Sequence, residues 1–265
     1  MDLMTILGGL IGGGSIVFVL AYGKMLHFLL NIEAIVLIFG GTIGSVMISY
    51  PFSALRQVPA ALIKTLFPPK RVKPADLIRA LSTLAAKARQ GGLYSLGEES
   101  SYLPHPFLKD CIAMLGDELD YNALQDMLDS ELANTRARHV QLSNVFRSAG
   151  TFAPIFGLLG TLIGVVQVLR NITDPATMGA SMAIAMTASF YGIFSANFFF
   201  LPIAGKLNYY SEEEMMLKEI IAKGTLYIHQ GNSPWEVSRK LSSFLSHLHR
   251  NGNSKTGAVE TAAAN

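Results

Sequence analysis

This 265-residue chain has least charge where it is most apolar. Four apolar runs, at 4–22, 34–50, 148–169 and 180–204, contain no Asp, Glu, Lys, Arg or His. A proton or cation crossing a membrane is usually carried by an intramembrane carboxylate. The chain therefore either does not conduct or takes that carboxylate from a partner chain. Cysteine is almost absent: Cys111 alone excludes an internal disulfide and reads as a small buried hydrophobe. Charged residues make up only 15% while half of the chain is apolar, which sets it apart from soluble proteins. Mean hydropathy is +0.36, in keeping with that class. A net charge of +2 gives no ground for a nucleic-acid partner. No phosphate loop, nucleophile elbow or paired carboxylate is present, so an enzyme is not expected. His247 and His249 stand two apart, which a helix does not place on one face, and no resident metal is expected.

What is present is length. Each of the last two apolar runs has about the ~20 residues that cross a bilayer. They are rich in small and hydroxyl residues. Pro154, Gly157, Thr161 and Gly164 fall three or four apart, and so do Ser181, Ala185, Ser189, Gly192 and Ala196. Such spacing puts each set on one helical face and predicts a close-packed helix pair beside a narrow polar path. The first run carries Gly8-xxx-Gly12 and Gly9-xxx-Gly13, and the second Gly40-xxx-Gly44. The N-terminus lacks a basic n-region and a clear cleavage site, so the first run reads as a retained membrane helix.

Between the two pairs lies a polar insertion, residues 51–147, with its own helical periodicity. Leu77, Leu81, Leu84 and Ala88 mark an apolar stripe that stops at Gly91-Gly92. Further helices are expected at Phe107–Leu115 and Tyr121–Arg147. No proline separates Tyr121 from Pro154, so the latter helix is expected to run into the third span. The fourth span similarly continues past Pro202. Ser233, Pro234 and Glu236 form a capping pattern at N-cap, N1 and N3. Asp117, Glu118, Asp120, Asp126 and Asp129 read as a solvated helix surface. The domain reading is 1–50 and 148–204 in the membrane, 51–147 and 205–250 helical and outside it, and 251–265 a disordered tail. The fold class is thus an all-α polytopic membrane protein with four transmembrane helices and a helical cytoplasmic domain.

Charge sets the orientation. Of 21 Lys and Arg residues, 12 lie in 51–147 and 7 in 205–265, leaving only Lys24 and Arg170 by the short loops. That bias marks the side holding the insertion and both termini as cytoplasmic. Taken alone, a membrane threonine such as Thr161 most simply bonds back to the preceding turn. Its functional alternative, shared with Ser189, is a neutral oxygen ligand or a water-orienting group. Pro154 and Pro202 are either ordinary kinks or hinges between membrane and cytoplasmic helices.

The string TFAPIFGLLGTLIGVVQVL, followed by DPATMGASMAIAMTASFYG and FFLPIAGKL, resembles the MotA/PomA subunit of the bacterial flagellar stator. MDLMTILGGLIGGG, ARQGGLYSLGEE, RHVQLSNVFRSAG and GNSPWEVSRKLSSFL extend the likeness over nearly the whole chain except the tail. ExbB/TolQ relatives, which energise an outer-membrane process, are the runner-up; they typically have one span before the insertion, and this chain has two. The resemblance implies an inner-membrane ring, expected to hold five copies, around a MotB/PomB-type B subunit that carries the essential aspartate. It implies torque on a FliG-type rotor protein, with lipid as the surroundings. It assigns hinges to Pro154 and Pro202 and the ion path to Thr161 and Ser189. The rotor-contact pattern of a basic residue, a turn and Leu-Glu falls on Arg89, but Gly97 follows Leu96, so either the acid shifts to Glu98 or the contact is made differently. The GTLIG string resembles the sodium-type pattern, which favours transient sodium near Thr161 over protons.

Overall fold

The computed structural model describes residues 3–24, 31–67, 72–96, 103–117 and 119–245. The expectations for Glu98, Glu118, His247, His249 and the tail at 251–265 lie outside the described residues. Among the described residues there is no strand. Four helices are long and apolar enough to cross a membrane: Leu3–Tyr22, Ile32–Ser49, Tyr121–Arg170 and Met178–His229. The expected all-α, four-span class is what the chain adopts.

In chain order the helices are α1 (Leu3–Tyr22), α2 (Ile32–Ser49), α3 (Phe52–Leu55), α4 (Val58–Leu66) and α5 (Pro74–Gly91). There follow α6 (Pro106–Gly116), α7 (Tyr121–Arg170), α8 (Pro175–Phe194), α9 (Leu201–His229) and α10 (Pro234–Leu241). The chain divides into two compact units. One holds Met1–Pro69 and Arg138–Tyr210, the other Lys70–Ala137 and Ser211–Asn265. The 50-residue helix α7 contributes to both, as its proline-free first half predicts.

The first unit is built on small residues. Ala34, Ile38, Ala153, Ala188 and Ala196 form one buried cluster, with Phe156, Tyr191 and Phe200 packed against it. Val46, Val145 and Ala149 form another, closed by Tyr50, Leu55, Val58, Phe152 and Phe200. The Tyr50 and Ser148 hydroxyls meet at 2.8 Å, tying the end of α2 to α7. Two turns are wider than α-helical: Val36–Gly40 inside α2 and Ser195–Phe200 between α8 and α9. The short helix α4 belongs to this unit, although sequence reading assigned it to the polar insertion. Its one basic residue, Lys64, sits in the last turn, where it complements the helix dipole. Helix α1 has no buried residue within a single chain.

The second unit has an ordinary aliphatic core. Leu77, Leu81 and Leu84 of α5 are buried as their spacing predicts, against Leu108 and Cys111 of α6, Leu124 and Leu128 of α7, and Ile220 and Ile221 of α9. Helix α5 ends at Gly91, and Gly92 takes φ +77°, a left-handed conformation that favours glycine. His105 caps α6 by accepting the Phe107 N–H on Nδ1 at 3.2 Å. Burial holds the pKa of this imidazole below its usual value, with Glu214 opposing and Lys218 adding to the shift. Lys218 is buried but served: it donates to Thr135 at 3.0 Å, lies 3.7 Å from Glu131 and sits over the Phe107 ring.

Cys111 is fully buried, and desolvation pushes its thiol up to about 12. A thiol, unlike a thiolate, is a poor nucleophile. Iodoacetamide at neutral pH should therefore leave Cys111 unlabelled in the folded chain and label it after denaturation, read by mass spectrometry.

Candidate functional site

The third and fourth spans touch where neither has a side chain to speak of. A Cβ built on Gly192 of α8 would lie 2.7 Å from the carbonyl oxygen of Ala153 and 3.0 Å from Cα of Gly157. One on Gly164 of α7 would lie 2.5 Å from Cβ of Ala185 and 3.0 Å from the Ser181 carbonyl oxygen. One on Gly157 would meet Ala188 O at 3.2 Å and Ser189 Cα at 3.4 Å. Backbone thus lies almost on backbone for two turns, the arrangement small residues permit in lipid. Ala185 and Ala188 are buried within it.

The face of α7 at this crossing is turned slightly from the expected one. Gly157 and Gly164 are on it, but Gly160 rather than Thr161 lies between them, against Ala188 and Leu37. Thr161 stands beside the crossing, partly exposed, and its hydroxyl donates to the Leu158 carbonyl at 2.6 Å. The simple back-bond is therefore made. It has a chemical consequence: a hydroxyl whose proton is tied to backbone keeps acceptor capacity but no free donor. Ser189 is also partly exposed, one residue along from the Ala188 contact.

The turn before each proline packs against the other helix. Pro154 lies inside α7 and has no N–H to donate to the Gly150 carbonyl, its ordinary i−4 acceptor. A Cβ on Gly150 would be 2.8 Å from Cδ2 of Leu201, the residue before Pro202. Pro202 in turn gives no donor to the Phe198 carbonyl. The wide turn Ser195–Phe200 runs directly into it, and the Leu201 N–H reaches back five residues to Ala196. A π turn there gives the pyrrolidine ring the room that an α turn would deny it. One helical turn further, Ser143 Oγ donates to the Ala204 carbonyl at 3.1 Å. The proline turns of α7 and α9 thus abut and are bracketed by a hydrogen bond. Antiparallel topology is expected to bring both proline ends to the same side; the Gly150–Leu201 contact is the detail that sequence spacing does not give.

Within the second unit, Arg89 is exposed in the last turn of α5. Helix α10 packs beside it: Val237 and Leu241 are buried, and Ser82 Oγ donates to the Pro234 carbonyl at 3.1 Å. The expected capping box is complete, with Ser233 Oγ accepting the Glu236 N–H and the Glu236 carboxylate accepting the Ser233 N–H. Those bonds hold the Glu236 carboxyl below its usual range, helped by Lys240 and Arg89. Arg239 stacks on the exposed ring of Trp235 at 4.9 Å. Glu98, the expected acidic partner, lies outside the described residues. Among the described residues no three His, Cys, Asp or Glu cluster as a metal site. Asp117, Asp120, Asp126 and Asp129 are exposed, as expected.

Residues 99–220 match the MotA/TolQ/ExbB proton channel family. The chain is 31% identical over 245 residues to chemotaxis protein PomA of Vibrio alginolyticus, covering 92% of this chain and 96% of that one. It is 35% identical over 217 residues to the uncharacterized protein YtxD of Bacillus subtilis, covering 82% and 79%. Its fold superposes on the flagellar MotAB stator complex of Bacillus subtilis with TM-score 0.81 and 28% identity, covering 91% of this chain and 97% of that chain. With its two spans before the insertion, its uncharged glycine-packed helix pair and these likenesses, the chain belongs to the MotA/PomA family of flagellar stator A subunits, non-enzymatic motor subunits within the wider MotA/TolQ/ExbB proton channel family.

Proposed function

We propose that this chain is the ion-path and torque-bearing subunit of a flagellar stator in the inner membrane. It works with a MotB/PomB-type B subunit that supplies the carboxylate its own spans lack. The observation that carries this reading is the close-packed pair of runs at 148–169 of α7 and 180–204, charge-free along their length and carrying hydroxyls at Thr161 and Ser189. Sodium is the ion, with Thr161 giving a transient oxygen ligand. Several copies, five in the family's ring, surround the B subunit, while both termini and residues 51–147 face the cytoplasm. Restoration of swimming tests the reading: in a motile host lacking its own stator genes, this chain with its co-encoded B subunit should restore swimming, and neither alone should. Failure of the pair, when both reach the membrane, overturns it.

Pro154 and Pro202 are read as the hinge that passes an ion event to the cytoplasmic helices. Pro154→Ala and Pro202→Ala restore a donor to the Gly150 and Phe198 carbonyls and straighten the turns. Each should leave membrane levels unchanged and cut swimming speed several-fold. Normal swimming by both variants removes the hinge role.

Arg89 is read as a contact for the FliG-type rotor protein, with Glu98 as its acidic neighbour. Exposed charges add little to folding, about 0.5 kcal/mol or less for a surface change, yet they select and steer partners. Arg89→Glu should lower torque several-fold with no loss of membrane insertion, and a charge reversal on the rotor should recover part of it. A variant that fails to accumulate returns Arg89 to a structural role.

A further inference from the structure

A groove of about 580 Å³ runs between α1 and the start of α9, within the first unit. Its walls are apolar: Met4, Phe198, Phe199, Pro202 and Ile203. Gly8 and Gly9 form its floor on the α1 side, and a Cβ on either would meet no atom within 4 Å. The polar groups lie toward one end. Lys206 and Thr5 both line the groove and are hydrogen-bonded to one another, and Thr65 of α4 also lines it. Lys206 follows Phe198 by eight residues (206 − 198), so their backbone positions lie about 12 Å apart along the helix at 1.5 Å rise per residue. No lining residue is acidic.

We propose that this groove is a binding site for an anionic phospholipid. An acyl chain lies along Gly8, Gly9 and Phe198, and the phosphodiester sits on Lys206 and Thr5. The volume is within the 300–1,000 Å³ typical of small-molecule sites. The shape and polarity also fit: an open apolar trough inside a membrane-spanning unit, ending in a half-buried ammonium at the level where apolar sequence gives way to polar. An ammonium placed there and steadied by Thr5 attracts a phosphate carrying net negative charge. It gives no advantage to a headgroup that carries its own cation. Thr65 is buried with its hydroxyl donated to the Ala61 carbonyl, so its oxygen is an acceptor side and the donors to the phosphate are Lys206 and Thr5. Helix α1, with no buried residue in one chain, gains a covering along this face from the lipid.

The test is native mass spectrometry of the full-length chain, purified with its B subunit in mild detergent and titrated with phosphatidylglycerol or phosphatidylcholine. The expected result is retention of phosphatidylglycerol at least five-fold over phosphatidylcholine. Lys206→Gln should abolish that preference and Lys206→Arg should keep it. Gly9→Leu, which fills the trough, should lower retention of both lipids. Equal retention of the two lipids by the unaltered complex overturns the proposal. So does unchanged phosphatidylglycerol preference in Lys206→Gln. A disulfide forming in native membranes between two copies carrying Gly9→Cys overturns it as well, because the groove is then occupied by a second copy. The readout is lipid retention, so it stands or falls separately from the swimming test of the stator reading.

Discussion

Gly192→Val should abolish swimming and remove most of the protein from the membrane fraction. The position has no room even for a methyl group, since a Cβ there lies 2.7 Å from the Ala153 carbonyl oxygen. That neighbour is backbone within a helix and cannot rotate aside. The helices must separate, and separation also unseats Gly157, Ala185 and Gly164 along the same crossing. Overpacking of a soluble core costs typically about 1–3 kcal/mol. Here relaxation is dearer, because association in lipid rests on close packing without a hydrophobic drive to restore it. Gly192→Ala should give an intermediate loss. Immunoblots of washed membranes and soft-agar spreading measure both effects. Gly44→Val provides the contrast, because a Cβ there meets nothing within 4 Å in a single chain. Wild-type levels and swimming in Gly192→Val would show that the pair does not depend on backbone contact.

The crossing illustrates what could and could not be read from the residues. Four spans followed from run length and missing charge, and the unbroken α7 followed from the absence of proline between Tyr121 and Pro154. The capping box at Ser233 was legible because its two bonds are local and its residue types specific. The face of α7 was legible only to within one residue. Gly157 has both Gly160 and Thr161 within the three- or four-residue spacing, and periodicity does not choose between them. The choice is made by Ala188 and Leu37, which come from other helices. Leu37 reaches Gly160 from the wide turn Val36–Gly40, and nothing in hydropathy encodes an i−5 bond. The same limit hid the wide turn before Pro202.

Thr161→Ala should raise the external sodium concentration for half-maximal swimming speed several-fold or stop rotation. Sodium must shed part of a tightly held hydration shell to pass a narrow path, and oxygen ligands must replace it. In the proposed stator a carboxylate from the B subunit would supply some of them. The Thr161 oxygen is well prepared to supply another. Its proton is already committed to the Leu158 carbonyl at 2.6 Å, so in the proposed path the hydroxyl would offer an acceptor instead of a second donor. Alanine removes that oxygen while keeping the small volume beside the Gly160–Ala188 contact, so packing should be preserved. A proton needs no such cage, and a proton-driven motor would tolerate the change. Swimming speed against external sodium at fixed pH separates the two cases. A saturable dependence that shifts in Thr161→Ala, with unchanged membrane levels, supports sodium and the threonine ligand together. Speed that ignores sodium but collapses with a protonophore assigns the current to protons. Thr161→Ser, which keeps the oxygen and loses only the methyl, should then restore sodium dependence close to that of the unaltered chain if the oxygen is the ligand. A serine variant no better than alanine would leave the methyl packing, and not the oxygen, as what position 161 contributes.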